Sequence, residues 1–425
     1  MFQETITLAI GHETTNYFKH WMLQLLNKFR RVTSTGNYIP EIDGLRFLAI
    51  LWIFVYHLNH YLIQTFPVGG AGIVQRILQN GHLGVELFFV ISGFVLSLPF
   101  ANYYLKKGKK IYLKQYFLRR ITRLEPPYFL IMIFLFLFKI ATPGYTAEEL
   151  TPHLLASLFY VHNIVYPDML PVINPVAWSL EIEIQFYVMV PILAHVFSLQ
   201  KKARRVLLLF IIIAMPIIQY LYKSDTLCFY QFIQYFLSGF LLTDLYVSYD
   251  RQYFFKPARR LLNNAFAVLG TFVLAAILLL HSTRSDLIYT IAIPLMILLF
   301  YSMVFFIPFW KKIFSIKLIT IIGGMCYSIY LIHFPLMEIL GQLFVKYGIA
   351  NGYFLYFILQ FLIIGTLTMV FSSLFFYFIE KPCMQKDWYL KLLKRGKLKK
   401  QKSSRYPNHN DQQARTKQDD HKRVK

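Results

Sequence analysis

Long apolar stretches, separated by short clusters of charge, run through the chain from residue 46 to residue 380. A helix that crosses a lipid bilayer needs about 20 predominantly apolar residues. About ten stretches meet this requirement: 46–63, 82–100, 125–142, 176–197, 206–222, 226–247, 264–281, 286–307, 325–345 and 353–380. The pattern predicts an all-α, polytopic transmembrane helical bundle of about ten spans. The connections alternate in charge. Lys106, Lys107, Lys109, Lys110, Lys114, Arg119, Arg120 and Arg123 crowd the link between the second and third spans, whereas the next long link, 143–175, has no Lys or Arg and carries Glu148, Glu149 and Asp168. Lys201, Lys202, Arg204 and Arg205 follow the fourth span, Arg251, Lys256, Arg259 and Arg260 the sixth, and Lys311, Lys312 and Lys317 the eighth. By the positive-inside rule the basic links are cytoplasmic, which predicts both termini in the cytoplasm and a multi-pass protein of the cell (inner or plasma) membrane.

Composition sharpens this picture. Of 425 residues, 56% are hydrophobic and only 15% charged, yet the formal net charge is +23. Soluble domains average about 25% charged residues. The cations lie between apolar runs and leave no basic, aromatic face on a soluble fold, so nucleic acid is excluded as a partner; the lipid bilayer is the expected one. Cys228, Cys326 and Cys383 are scattered, without the spacing of a disulfide framework or a metal site. No metal and no permanently bound cofactor is expected. Residues 1–40 lack the compact apolar core and cleavage site of a signal peptide and include an amphipathic stretch near Tyr17–Phe29 that could lie along the inner surface. Residues 41–384 form the transmembrane domain, and 385–425 read as a basic, disordered cytoplasmic tail.

Ionisable groups inside spans are costly and point to function. Arg46 stands at the start of the first span and His57 eleven residues later. That is almost three helical turns, so the two share a face about 16 Å apart: a cation at the inner mouth and an imidazole deep in the membrane. A snorkelling Arg and a packing His would give the same pattern. Arg120 and Arg123, three apart on one helical face, can clamp a polyanion, whereas Lys106–Lys110 need do no more than set topology. Glu86, with His82 one turn before it, and Glu183 are acids expected in the outer half of the membrane, either holding a polar substrate or fixing helix packing. Tyr327, Tyr330 and His333 share a face of the ninth span, with His333 either a second base or a polar contact between helices.

Five segments in order resemble the acyltransferase-3 family of multi-span membrane O-acyltransferases. Asp43-Gly44-Leu45 precedes Arg46, ten residues and His57; GVELFFVISGF (Gly84–Phe94) is similar to the second-span motif, with Glu86 where Asp is more usual; FLRRITRLEPPY (Phe117–Tyr128) holds the Arg120/Arg123 pair; WSLEIEIQFY (Trp178–Tyr187) is similar to a Trp-Ser-Leu-x-x-Glu block ending at Glu183; and YSIYLIHFPL (Tyr327–Leu336) resembles the Tyr-Leu-x-His-x-Pro block. The ending at Glu380 also fits, and the likeness spans roughly 38–384. Ile184, in place of a second acid, and Glu181, in place of a small residue, depart from the pattern.

The resemblance implies an enzyme that moves an acyl group, most simply acetyl, from acyl-CoA to a hydroxyl of a cell-envelope glycan or lipid-linked sugar. Arg46, Arg120 and Arg123 would bind the phosphates of the co-substrate. His57 would act as catalytic base, with Glu86 and Glu183 in the catalytic set and Asp43, Trp178, Tyr330 and His333 in support. Direct transfer and an acyl-histidine relay both stay open. The rival class is a secondary transporter using the same intramembrane His, Glu and Arg; transporters often carry two similar halves with broken helices in matching positions, which this sequence lacks.

Overall fold

The computed structural model describes residues 24, 27–32, 38–65, 73–222, 226–250, 253, 256–280, 287–347, 352–385, 388 and 389. The amphipathic stretch expected near Tyr17–Phe29 and the tail expected over 385–425 lie largely outside these residues. Every regular element among them is helical. The principal helices are α1 (Pro40–Thr65), α2 (Gly84–Lys106), α3 (Leu113–Ala141), α4 (Ala147–Leu158), α5 (Trp178–Leu193), α6 (Lys201–Leu221), α7 (Ile233–Ser248), α8 (Arg260–Leu279), α9 (Leu287–Phe306), α10 (Lys317–Gly324), α11 (Cys326–Tyr347) and α12 (Tyr353–Phe375). Among the described residues, seven helices are long and apolar enough to cross a membrane, and eight if α10 and α11, bent by 67°, make one span. Each of the ten expected stretches has a helix at its centre among the described residues. Of the ten, α1 and α7 fall outside this count, α7 having only 16 residues against the 17 to 25 of a typical spanning helix.

The centre of the bundle is the pairing of α2 with α7. A Cβ on Gly93 would lie 2.1 Å from the Phe236 carbonyl oxygen, and one on Gly239 2.3 Å from that of Val90, so the two backbones meet at glycines, the usual device of close membrane helix pairs. Around this seam Phe186 and Phe89 stack on Phe236 at 4.0 and 4.6 Å, and Phe94 on Phe305 at 4.9 Å. The outer helices α3, α6, α8 and α12 expose Phe134, Phe210, Phe272 and Phe371, an apolar belt suited to lipid.

Two polar clusters brace the ends of the bundle. At the basic end Asp244, fully buried, accepts hydrogen bonds from Arg204 and Arg205, each at 2.5 Å. These two arginines therefore do more than set topology. At the cation-poor end the link 143–175 is structured. Thr146 caps α4 by accepting from the Glu149 N–H at 3.2 Å while Glu149 accepts from the Thr146 N–H at 2.9 Å; these bonds hold the Glu149 carboxyl below its ordinary range. His153 and His162 meet at 3.0 Å, and burial together with His153 lowers His162 to about 4. Buried Glu181 accepts from the Asn163 N–H at 2.8 Å. The acid that departs from the family pattern thus ties this link to α5.

Candidate active site

A cavity of about 2110 Å³ opens at the basic end, where Lys109, Lys110 and Tyr112 are exposed, and runs into the bundle to Ser179, Glu183 and Tyr330. Ligand pockets for drug-sized molecules span about 300 to 1,000 Å³, so this one has room for a larger, extended molecule. Nine Lys and Arg side chains line it against five acids, which favours an anion. Arg46, Arg120 and Arg123, the three expected donor-binding residues, all line it.

Local structure explains the convergence. Gly44 and Gly323 let the start of α1 press against Phe314 and α10: a Cβ on Gly44 would lie 2.0 Å from the Phe314 carbonyl oxygen, and one on Gly323 1.7 Å from that of Asp43. The Gly of the Asp-Gly-Leu motif is therefore a packing requirement. Asp43, one turn before Arg46, accepts from Arg46 Nη1 at 2.7 Å and from Arg31 Nη1 at 3.2 Å. On α3 the Arg120 guanidinium lies 3.7 Å from the Tyr116 ring centre and 5.7 Å from that of Tyr187, and it donates to the Tyr116 carbonyl at 3.0 Å. Stacking of this kind holds the planar fork in place and leaves its edge usable.

Glu183 lines the same cavity, and one of its oxygens accepts from Ser92 Oγ at 2.7 Å and Tyr187 Oη at 2.6 Å. The sequence pairs Glu183 with Glu86, but Glu86 does not line the cavity and sits buried in the first turn of α2. The reason is that the approach to α5 is sunk into the bundle: Ile173 and Asn174 are buried, and Asn174 donates to the Leu331 carbonyl at 3.1 Å. Glu183, in the second turn of α5, faces the cavity. Trp178 is also apart from the cavity. Its ring packs 5.7 Å from Phe232, and its carbonyl accepts from Asn163 at 2.8 Å.

At the deep end, Tyr330 Oη shares a 2.7 Å hydrogen bond with Ser179 Oγ and donates to the Val176 carbonyl. One turn further along α11, His333 stacks on His57 with ring centres 5.2 Å apart and planes 7° from parallel; the Tyr330 ring is 5.9 Å from His333. His333 Nδ1 faces the Ile329 and Tyr330 carbonyls at 3.1 and 2.8 Å. Both partners are acceptors, so Nδ1 carries the proton and Nε2 is left with its lone pair. His333 Nε2 and His57 Nδ1 are buried without a hydrogen-bond partner. Neither imidazole lines the cavity. The expected site thus resolves into a cationic chamber and an imidazole pair one helical turn beyond it, joined through Tyr330.

Several cavity residues were absent from the sequence-derived site. Glu380 accepts from the Ser328 N–H at 3.1 Å and from its hydroxyl; an acid in an apolar run was its signal. Tyr187, one turn after Glu183, was visible in the same motif. Arg31 had no signal. Among the described residues no group of His, Cys, Asp and Glu could hold a metal ion.

A helical membrane protein with a cationic chamber and intramembrane imidazoles is the class that this geometry defines. Residues 39–377 match the acyltransferase domain of the acyltransferase-3 family, and the chain belongs to that family. It is 30% identical over 192 residues to the peptidoglycan O-acetyltransferase OatA of Listeria monocytogenes, covering 43% of this chain and 28% of the relative. It is 27% identical over 388 residues to a putative O-acetyltransferase of Staphylococcus aureus (strain COL), covering 84% and 59%. It is 25% identical over 387 residues to O-acetyltransferase OatA of Staphylococcus aureus (strain NCTC 8325), covering 85% and 60%. The chain thus spans at most about three fifths of the length of these relatives. No solved structure matches.

Proposed function

We propose that this protein is an O-acyltransferase of the cell membrane that moves an acetyl group from acetyl-CoA to a hydroxyl of a cell-envelope glycan, peptidoglycan or a lipid-linked sugar being the class of acceptor. The observation that carries the reading is the cavity itself: Arg46, Arg120 and Arg123 converge on it, and its far end is one helical turn from the His57–His333 pair. In this reading the apolar stretches make ten spans, both termini are cytoplasmic, and the cavity opens to the cytoplasm where acyl-CoA is found. The donor is consumed as a co-substrate and nothing is held as a resident cofactor.

The phosphates sit among the arginines, and the thin pantetheine arm lies along Glu183 towards Tyr330 and Ser179. Passage of the thioester to the imidazoles requires the Tyr330–Ser179 contact to part. His57 takes the proton from the acceptor hydroxyl, whose oxygen attacks the thioester carbonyl carbon. The carbon–sulfur bond breaks, and the departing thiolate recovers the proton from the imidazolium, giving the ester and free CoA. In the relay variant His57 attacks first, releases CoA and passes the acyl group to the hydroxyl in a second step. His333, whose bare nitrogen has its tautomer set by the α11 backbone, orients His57 or stands in as base.

The test is transfer of label from acetyl-CoA to envelope polysaccharide by the purified protein. His57→Ala is expected to abolish transfer while acetyl-CoA still binds and the melting temperature holds. Full transfer by that variant would remove His57 from the chemistry.

A further inference from the structure

The stretch Lys28–Val32 precedes the region that matches the acyltransferase family, yet it is built into the cavity wall. Lys381 Nζ donates to the Lys28 carbonyl, the Phe29 ring lies 6.0 Å from that of Tyr377, and Phe29 and Val32 pack into the cluster of Ile321, Met325, Phe376 and Met384. These fastenings carry Arg31 to the cavity, where it passes over Gly324; a Cβ there would lie 3.4 Å from the Arg31 Cβ.

The charge around Arg31 is unbalanced. Its Nη1 reaches Asp43 at 3.2 Å, but the same carboxylate oxygen already receives Arg46 at 2.7 Å. One carboxylate between two guanidiniums leaves a net positive charge. Arg123 lies within electrostatic reach of Arg31 and Glu380 faces both, so Arg31, Arg46 and Arg123 together meet two carboxylates, Asp43 and Glu380, with one positive charge in excess. The Arg31 Nε–H is buried with no acceptor. A buried donor is rarely left so in a finished structure, and a guanidinium fork with spare donors is matched to a phosphate.

We propose that Arg31 is a donor-binding residue: with Arg46 and Arg123 it forms a guanidinium cluster that takes a phosphate of the acyl-CoA, so that a segment outside the family domain completes its donor site. The inference rests on the acyl-CoA reading above. It assigns to Asp43 the task of holding two guanidiniums at the cavity wall.

The experiment uses the full chain in detergent micelles, titrated with acetyl-CoA and with S-acetylpantetheine, the same thioester without phosphates. Arg31→Gln is expected to weaken acetyl-CoA binding about tenfold, the loss of one charge-assisted contact, and to leave acetylpantetheine binding unchanged. Arg31→Lys keeps the charge and the pairing with Asp43 but loses the fork, and should bind acetyl-CoA severalfold less tightly than the native chain. If Arg31→Gln does not fold, the lysine variant alone decides the question. Native acetyl-CoA affinity in the folded variants, or equal weakening towards both ligands, would overturn the role of Arg31 while leaving the acyl-CoA reading intact. A native chain that binds no acetyl-CoA overturns both.

Discussion

Asp43→Asn separates two roles that a buried acid beside arginines can play. If Asp43 only lowers the local positive potential, its removal should tighten the binding of an anionic donor. If it aims Arg31 and Arg46, its removal should loosen binding although the site gains positive charge. The side chain is 3% exposed and serves both guanidiniums, at 2.7 and 3.2 Å. Hydrogen bonds to charged groups contribute about 1.5 to 3 kcal/mol each, and removing one partner of a buried pair costs about 3 to 5 kcal/mol because the remaining charge is uncompensated. Asparagine keeps the shape and a neutral acceptor, so a loss of about 2 to 4 kcal/mol of stability is expected. Donor affinity should fall by about a factor of ten for each guanidinium that leaves its alignment. Unfolding in micelles gives the first quantity, and calorimetric titration with acetyl-CoA the second. Tighter or unchanged donor binding in a folded Asp43→Asn protein would refute the positioning argument.

Three further outcomes are expected. Asp244→Asn, which strands Arg204 and Arg205 beside the cavity-lining Tyr249, should cost about 3 to 5 kcal/mol; a melting curve equal to that of the native chain would contradict the pairing. His333→Phe keeps a ring against His57 but removes the bare nitrogen, so kcat should fall by at least about tenfold with donor affinity retained, and an undiminished kcat would leave His333 a packing residue. The folded His162 is held at about 4, below its ordinary value near 6.5. Between these values the unfolded chain binds more protons than the folded one, so its contribution to stability is complete above 6.5 and is lost as pH falls towards 4. Amide protection factors across 143–175, corrected for the pH dependence of intrinsic exchange, should therefore fall over that window in the native chain and not in His162→Phe; parallel profiles would reject the assignment.

Much of the site was legible because its signals are local. Arg120 and Arg123 lie on one turn, Asp43 and Arg46 on another, and charges in apolar surroundings stand out without knowledge of any neighbour. Glu181 shows the limit: its presence was visible as a departure from the family pattern, but its partner, the Asn163 N–H, belongs to a link whose path the sequence does not specify. Arg31 was invisible for the same reason, being one basic residue among several in a polar segment.

Hydrophobic periodicity and the placement of cations were enough to establish a helical membrane bundle, its basic end and the three arginines that line the cavity there, because each depends on residues within a turn or a span of one another. Where the helices cross was a matter for the tertiary structure alone. The glycine contacts of α1 with α10 and of α2 with α7, the sunken start of α5 and the 67° bend before α11 place Glu183 in the chamber, Glu86 and Trp178 outside it, and His57 against His333. Such contacts join residues hundreds of positions apart, and they follow from which backbones can approach closely, a property that no single stretch of chain carries.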